Sequence, residues 1–460
     1  MRLRWPVLVG VSLFLSISGC GKESDAPKRA EIRVLAQPTR AELNARRGQL
    51  MAAHSDGLIL IPGNAAEKGM TDPGWMQAPT FQYFSGLAHL PGALLVLDPA
   101  TNQSTLFAGP APSAFGVPIP ALDATQFPEV AAGAYVYQIL PSSVFVGWLS
   151  DRLSVSDPVL YLDSARRPEP TGSPIGLLPV QGFHALWEQS LRDAYPDAEL
   201  RSMAETVRTL RWVKSESEIA ELHQNAVATA YALRQGMRAI GVGVGQRMAE
   251  AAVVAGCLEA GAEGPSFWPW MMVGPNGGFG RLVQSFFDYS SLNRVMEAGQ
   301  LVRADVGCQG GGYGGDVGRT VPVSGAFTPA QAQVWDLLID GYLAGLNAMR
   351  PGLPLDSVRA ASRRRVAERG SEDASIAELA LAFNAPSGVD WHIHGVGIES
   401  GETPGGQLEA GVVLAYEPMI VVGDDAFYLE DMILITPSGA EVLSSGLPYS
   451  AVEMEAFLAR

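Results

Sequence analysis

The segment LVRADVGCQGGGYGGDVGRT, residues 301–320, sets two aspartates into what reads as a strand hairpin around a glycine-rich turn. Strand interiors are depleted in aspartate, and like charges directly opposite each other repel. A turn centred on Gly310-Gly311 places Asp305 opposite Asp316, with Cβ atoms ~5 Å apart. Two bare carboxylates at that distance cannot both ionise unaided, and a cation between them removes the conflict. The C-terminal segment VVLAYEPMIVVGDDAFYLEDMILIT repeats the arrangement. Gly423-Asp424 suits a two-residue turn with glycine first, and Glu417 then faces Glu430. Four oxygen-donor side chains in two hairpins suit a pair of divalent ions ~3.5–4 Å apart. SGVDWHIHGVGIESGETP adds His392 and His394 as nitrogen donors. Unpaired buried charges are costly, so acids and histidine in this pattern argue for a metal centre rather than solvated turn flanks.

The chain of 460 residues is too long for one ordinary core, and two domains are expected. Between residues 39 and 200, the runs DGLILIPG, ALLVLDP, AYVYQIL and VFVGWL read as buried strands, and FHALWEQSLRDA has helical spacing. PDAELRSMAETV reads as a connector. From residue 208, SESEIAELHQNAVATAYALRQGM predicts a long helix capped by Ser215 or Ser217, and GQRMAEAAVVAGCLEAG a second. PAQAQVWDLLIDGYLAGLNAM and DSVRAASRRRVAERG predict another helix pair before a β-rich end. The order helix, helix, strand hairpin thus occurs twice, which suggests an internal duplication.

A net charge of −16 and the lack of a Lys/Arg-rich run exclude a nucleic-acid partner. Residues 1–20, MRLRWPVLVGVSLFLSISGC, carry Arg2 and Arg4, an apolar run and then small residues, the order of a secretory signal. The ending Ile17-Ser18-Gly19-Cys20 resembles the bacterial lipobox, which implies lipid attachment at Cys20 and a polar tether over 21–38. With Gly21 after the cysteine, the resemblance points to a membrane-anchored protein of the bacterial outer membrane, facing the periplasm. Cys257 and Cys308 are the other two cysteines, and their spacing gives no disulfide framework. Cys308 reads as a small packed thiol. GGFG and GGYGG lack the residues of a phosphate-binding loop, and FWPWMMVG reads equally well as a cleft wall or as core.

The ordered motifs LVRADVG, GYGGDVGRT, HGVG, Glu417-Pro418 and Glu430-Asp431 resemble those of the pita-bread metallopeptidases, which include methionine aminopeptidase, prolidase and aminopeptidase P. RRGQLMA, DGLILIPGN and TFQYFSGL resemble the extra N-terminal domain of the aminopeptidase P and prolidase branch. The resemblance implies an α/β domain over 39–200 followed by a pita-bread α+β catalytic domain over 208–447. It implies that Asp305, Asp316, His394, Glu417 and Glu430 are the metal ligands, with Asp316 and Glu430 bridging two divalent ions. The reaction implied is hydrolysis of an N-terminal peptide bond, Xaa-Pro in this branch, by a hydroxide bridging the metals, with Glu417 as proton shuttle. Family members use manganese, cobalt or zinc, and an oxygen-rich shell leans towards manganese. They often form dimers or tetramers, so a homodimer is among the assemblies implied.

Around the ligands the sequence departs from the family. Gln284 or a neighbour stands where a histidine usually precedes the first metal aspartate, and Gly401 stands where another follows the Gly-x-Gly segment. Asp390 replaces a frequent histidine, Tyr428 the arginine two residues before the final glutamate, and Val421 a proline-pocket tyrosine. His392 and Tyr428 are the candidates to take over substrate contacts. A small-molecule hydrolase or lyase on the same metal fold is the alternative, and a metal-binding protein without peptidase activity is a third reading.

Overall fold

A computed structural model describes residues 38–64, 76–88, 90–108, 113–114, 117–118, 127–163 and 183–459. The signal segment, Cys20 and the tether up to residue 37 lie outside the described residues. No helix among those described is long and apolar enough to cross a membrane.

The first half is a six-stranded mixed sheet in the order Gln138–Pro141, Gln103–Ala108, Leu94–Asp98, Leu58–Pro62, Val159–Leu162 and Glu199–Ser202. Apolar side chains fill both of its faces, which is why DGLILIPG and ALLVLDP read as continuous hydrophobic runs. One expectation fails here. VFVGWL is not a strand: Phe145–Arg152 is a helix. Leu149 is buried, Phe145 and Trp148 pack beside it, and Val144 and Val146 face solvent, so the apolar positions follow a helical period too short to recognise. The PDAELRSMAETV connector is also structured, supplying the edge strand Glu199–Ser202 and the start of the helix Ala204–Trp212.

In the second half, Ser215 caps the helix Glu216–Arg238 in a reciprocal box with Glu218. That helix and its partner Gln246–Glu259 pack against an antiparallel sheet of Trp270–Val273, Leu301–Val306 and Val317–Pro322. The pattern then returns. Helices Pro329–Ala348 and Leu355–Glu372 are followed by the sheet Asp390–Gly395, Val413–Val422, Asp431–Thr436 and Gly439–Val442, with Asp425–Tyr428 folding back on Val413–Val422.

The two halves meet at the first hairpin. Arg46 pairs with Glu218 at 2.9 Å and lies over the Tyr83 ring, while the Tyr313 hydroxyl donates to Glu218 at 3.2 Å. Gln82 donates to the Gly311 carbonyl at 2.9 Å. The tip of the carboxylate hairpin is therefore held by the preceding domain.

The cysteine reading is overturned: Cys257 and Cys308 form a disulfide, their Cα atoms 5.5 Å apart. The bond ties the helix Gln246–Glu259 to the strand Cys308–Gly310. The helix packs on this hairpin only through tertiary folding, so a separation of 51 residues carried no local signal.

Candidate metal centre

The first hairpin turns on Gly311-Gly312, one residue later than expected. Both have positive φ, 62° and 76°, which two-residue hairpin turns of this kind demand. The shift changes the register, so Asp305 lies opposite Gly318 rather than Asp316. Asp316 sits beyond it, where the ladder is interrupted between Gly314 and Val317. The second hairpin turns at Gly423-Asp424, pairing Val422 with Asp425 and Met419 with Tyr428. Tyr416 pairs with Asp431 in the same register, which leaves Glu417 and Glu430 facing each other.

His394 lies on the strand Asp390–Gly395 and brings these acids together. Its Nε2 is 3.1 Å from Glu417 Oε1, 3.6 Å from Glu430 Oε1 and 3.7 Å from Asp316 Oδ2. Its Nδ1 is 2.9 Å from the Gly395 carbonyl, so that nitrogen carries the proton and Nε2 is turned to the carboxylates. This is the orientation of a metal-ligating imidazole. His392 pairs with Glu417 across the strands and is half exposed, its Nε2 3.8 Å from Glu417 Oε1. The Tyr428 hydroxyl is buried and lies 2.8 Å from both Glu417 Oε2 and Glu430 Oε2. That hydroxyl is engaged between the two carboxylates.

The residues fit a cation. Donor atoms of Asp316, His394 and Glu430 lie within 4.8 Å of one another, and His394 Nε2 is 3.7 and 3.6 Å from the two carboxylates, less than the ~4.0–4.4 Å that two ligands at ~2.0–2.2 Å from one zinc ion can span. Glu430 is wholly buried, and its Oε1 has no hydrogen-bond partner. Burial pushes the Asp305 carboxyl up to about 8 against the pull of Arg303. Burial and the Glu430 charge raise Asp316 far above the carboxylate range, and burial with the Glu417 charge raises Glu430. Only Glu417 is lowered: burial opposes its ionisation, and the His394 hydrogen bond and charge prevail. Protein groups alone do not neutralise this cluster.

One participant escaped the sequence reading. Arg303 is 2% exposed, with Nη2 3.7 Å from Asp305 Oδ2 and its guanidinium 5.2 Å from the centre of the Tyr428 ring. A cation alone inside the apolar strand LVRADV was the available signal. Of the FWPWMMVG segment, Met271 and Met272 are core and Trp268 is exposed.

Residues 220–437 match the model of metallopeptidase family M24. Over 274 residues the chain is 29% identical to the Xaa-Pro aminopeptidase of Escherichia coli (strain K12), covering 55% of this chain and 60% of that one. Xaa-Pro aminopeptidase 1 of Streptomyces coelicolor is 29% identical over 319 residues, 61% of each chain. The chain spans about three fifths of the length of these curated relatives. Proline aminopeptidase P II from Yersinia pestis shares the fold with a TM-score of 0.74, covering 92% of this chain and 100% of that one at 23% identity. A variant of Escherichia coli aminopeptidase P gives 0.72 over 92% and 99%, at 24% identity. At that identity the structural likeness is one of fold, and the sequence match makes residues 220–437 similar to metallopeptidase family M24.

Proposed function

We propose that this chain is a metal-dependent aminopeptidase acting on peptides with proline in second position. The observation that carries the proposal is the buried convergence of Asp316, His394, Glu417 and Glu430 within a matched M24 domain. Asp305, Asp316, His394, Glu417 and Glu430 would hold two divalent ions, with manganese favoured by the oxygen-rich donor set. Bound there, the ions would supply Lewis acidity, lowering the pKa of water and polarising a carbonyl oxygen.

The chain's own residues do the rest. Glu417 is the carboxylate kept ionised and its side chain is partly exposed, so it can take up a proton and pass it to the leaving amine. Tyr428 fixes the orientation of Glu417 through its hydroxyl. His392, exposed beside Glu417, is the donor available for the substrate carbonyl in place of the family histidines missing at Gln284 and Gly401.

A small-molecule substrate is the second reading, favoured by those absent histidines and by Val421 at the position of the proline-pocket tyrosine. The chain is proposed to be exported and lipid-anchored at Cys20, and the disulfide supports export, since such bonds persist in oxidising compartments. Assay of manganese-loaded protein on Xaa-Pro and Xaa-Ala peptides tests the activity, with Asp316→Ala as the dead control. Two bound ions without cleavage of either peptide would refute the peptidase reading. Cleavage undiminished in Asp316→Ala would refute the metal mechanism.

A further inference from the structure

Arg303 is a buried cation with donors to spare. Its Nε and Nη2 have no hydrogen-bond partner, and Nη1 reaches only the Met419 sulfur, at 3.8 Å. One side of the guanidinium faces Asp305, and another lies on the Tyr428 ring. The strands fix this placement. Arg303 and Asp305 are two residues apart on one strand and share a face, as alternate strand residues do. The cross-strand partner of Arg303 is Thr320, whose hydroxyl accepts from the Tyr428 N–H at 2.7 Å and donates to the Tyr428 carbonyl at 3.1 Å. The tyrosine is thereby docked beside the arginine. Its hydroxyl in turn lies between Glu417 and Glu430. One cation thus touches one acid directly and two more through an aromatic ring.

We propose that Arg303 is a positioning residue of the metal centre, wedged between the Asp305 carboxylate and the Tyr428 ring and orienting both. The resemblance places an arginine at the Tyr428 position, and here the cation enters from the neighbouring strand and meets the Tyr428 ring, so the pair Arg303–Tyr428 reads as a transposed arrangement. The inference rests on the metal-centre reading. A guanidinium suits the role because it stays charged when buried and stacks flat on an aromatic face.

The test is calorimetric titration of chelator-stripped protein with Mn²⁺, alongside thermal unfolding of the stripped and loaded forms. Arg303→Met is expected to weaken Mn²⁺ binding ~10–100-fold, the usual effect of losing a group that orients metal ligands. Tyr428→Arg alone sets two cations together and is expected to weaken binding as well. The transposing double variant Arg303→Met/Tyr428→Arg is expected to recover to within a few-fold of the parent. Arg303→Lys keeps the charge but loses the guanidinium's contact with the Tyr428 ring, and binding should fall several-fold. Parental Mn²⁺ affinity in Arg303→Met overturns the proposal, as does a double variant no tighter than Arg303→Met. If Arg303→Met does not fold, parental affinity in Arg303→Lys overturns it. A purely structural role would lower both melting temperatures equally and leave affinity intact. Failure of the parent protein to bind Mn²⁺ at all refutes the metal centre and this inference with it.

Discussion

Gly318 and Glu430 exchange both backbone hydrogen bonds, at 3.1 and 3.0 Å, and so join the two carboxylate hairpins at one point. Gly318 is also the cross-strand partner of Asp305. A Cβ at this position would lie 2.0 Å from Cε1 of Tyr428 and 2.8 Å from the Ala304 carbonyl oxygen. The close approach of Tyr428 to its carboxylates therefore depends on the absent side chain. Gly318→Ala is expected to cost ~1–3 kcal/mol by overpacking, measured by urea unfolding, and to weaken Mn²⁺ binding by displacing the tyrosine. Gly48→Ala, in the helix Arg40–Ala53 with nothing near the added carbon, should instead stabilise by ~0.5–1 kcal/mol.

The acids gathered around His394 stand out in the sequence because each breaks a local rule. Asp305 lies in an apolar strand and Glu430 at the junction of two, where a carboxylate has no packing reason to be. The second hairpin also kept its expected register, since Gly423-Asp424 is a turn whose chemistry sits in two residues. In the first, five glycines between Gly310 and Gly315 left the turn position underdetermined, and tertiary contacts to Glu221 and Gln82 occupy the space beside Gly311 and Gly312. The disulfide, the Phe145–Arg152 helix and the role of Arg303 depend on what packs opposite, and no local pattern carries that.

Beside the centre, Arg319 and Asp431 form an ion pair in which neither residue is exposed, with Nη2 at 3.0 and 3.2 Å from the two carboxylate oxygens. Asp431 also accepts from Ser444, Tyr342 and Tyr449 at 2.7, 2.8 and 2.9 Å. Asp431→Ala strands a buried guanidinium and should destabilise by ~3–5 kcal/mol. Because the two residues share one network, adding Arg319→Met should cost less than its separate effect. A double-mutant cycle in urea should give a coupling of ~0.5–3 kcal/mol, and a coupling of zero would show that the pair is not the organising element.

The Cys257–Cys308 bond anchors the strand that follows Asp305 to a helix. The loop it closes, 51 residues long by sequence separation, implies stabilisation of ~4 kcal/mol by the chain-entropy relation, at the upper end of the usual range. Reduction, or the double substitution Cys257→Ala/Cys308→Ala, should lower the urea midpoint accordingly. Thiol titration of the native protein should find neither cysteine free until reductant is added.

Acid should loosen the segment that follows His394. Glu402 exchanges both backbone hydrogen bonds with Gly395, at 2.8 Å each, and its buried carboxylate is held by Arg211 and by Lys214 Nζ at 3.2 Å. Burial opposes its ionisation, yet the two cations win and keep its pKa below the ordinary glutamate value. The unfolded chain then binds the proton more readily than the folded one, so stability from this group is present above about pH 4 and is lost as pH falls through the lower folded-state pKa. Glu402→Gln should be less stable than the parent at neutral pH, because Arg211 and Lys214 lose their counter-charge. It should also show a flatter decline of melting temperature between about pH 6 and pH 3. Parallel melting curves for the two proteins across that range would show that Glu402 does not carry the acid response.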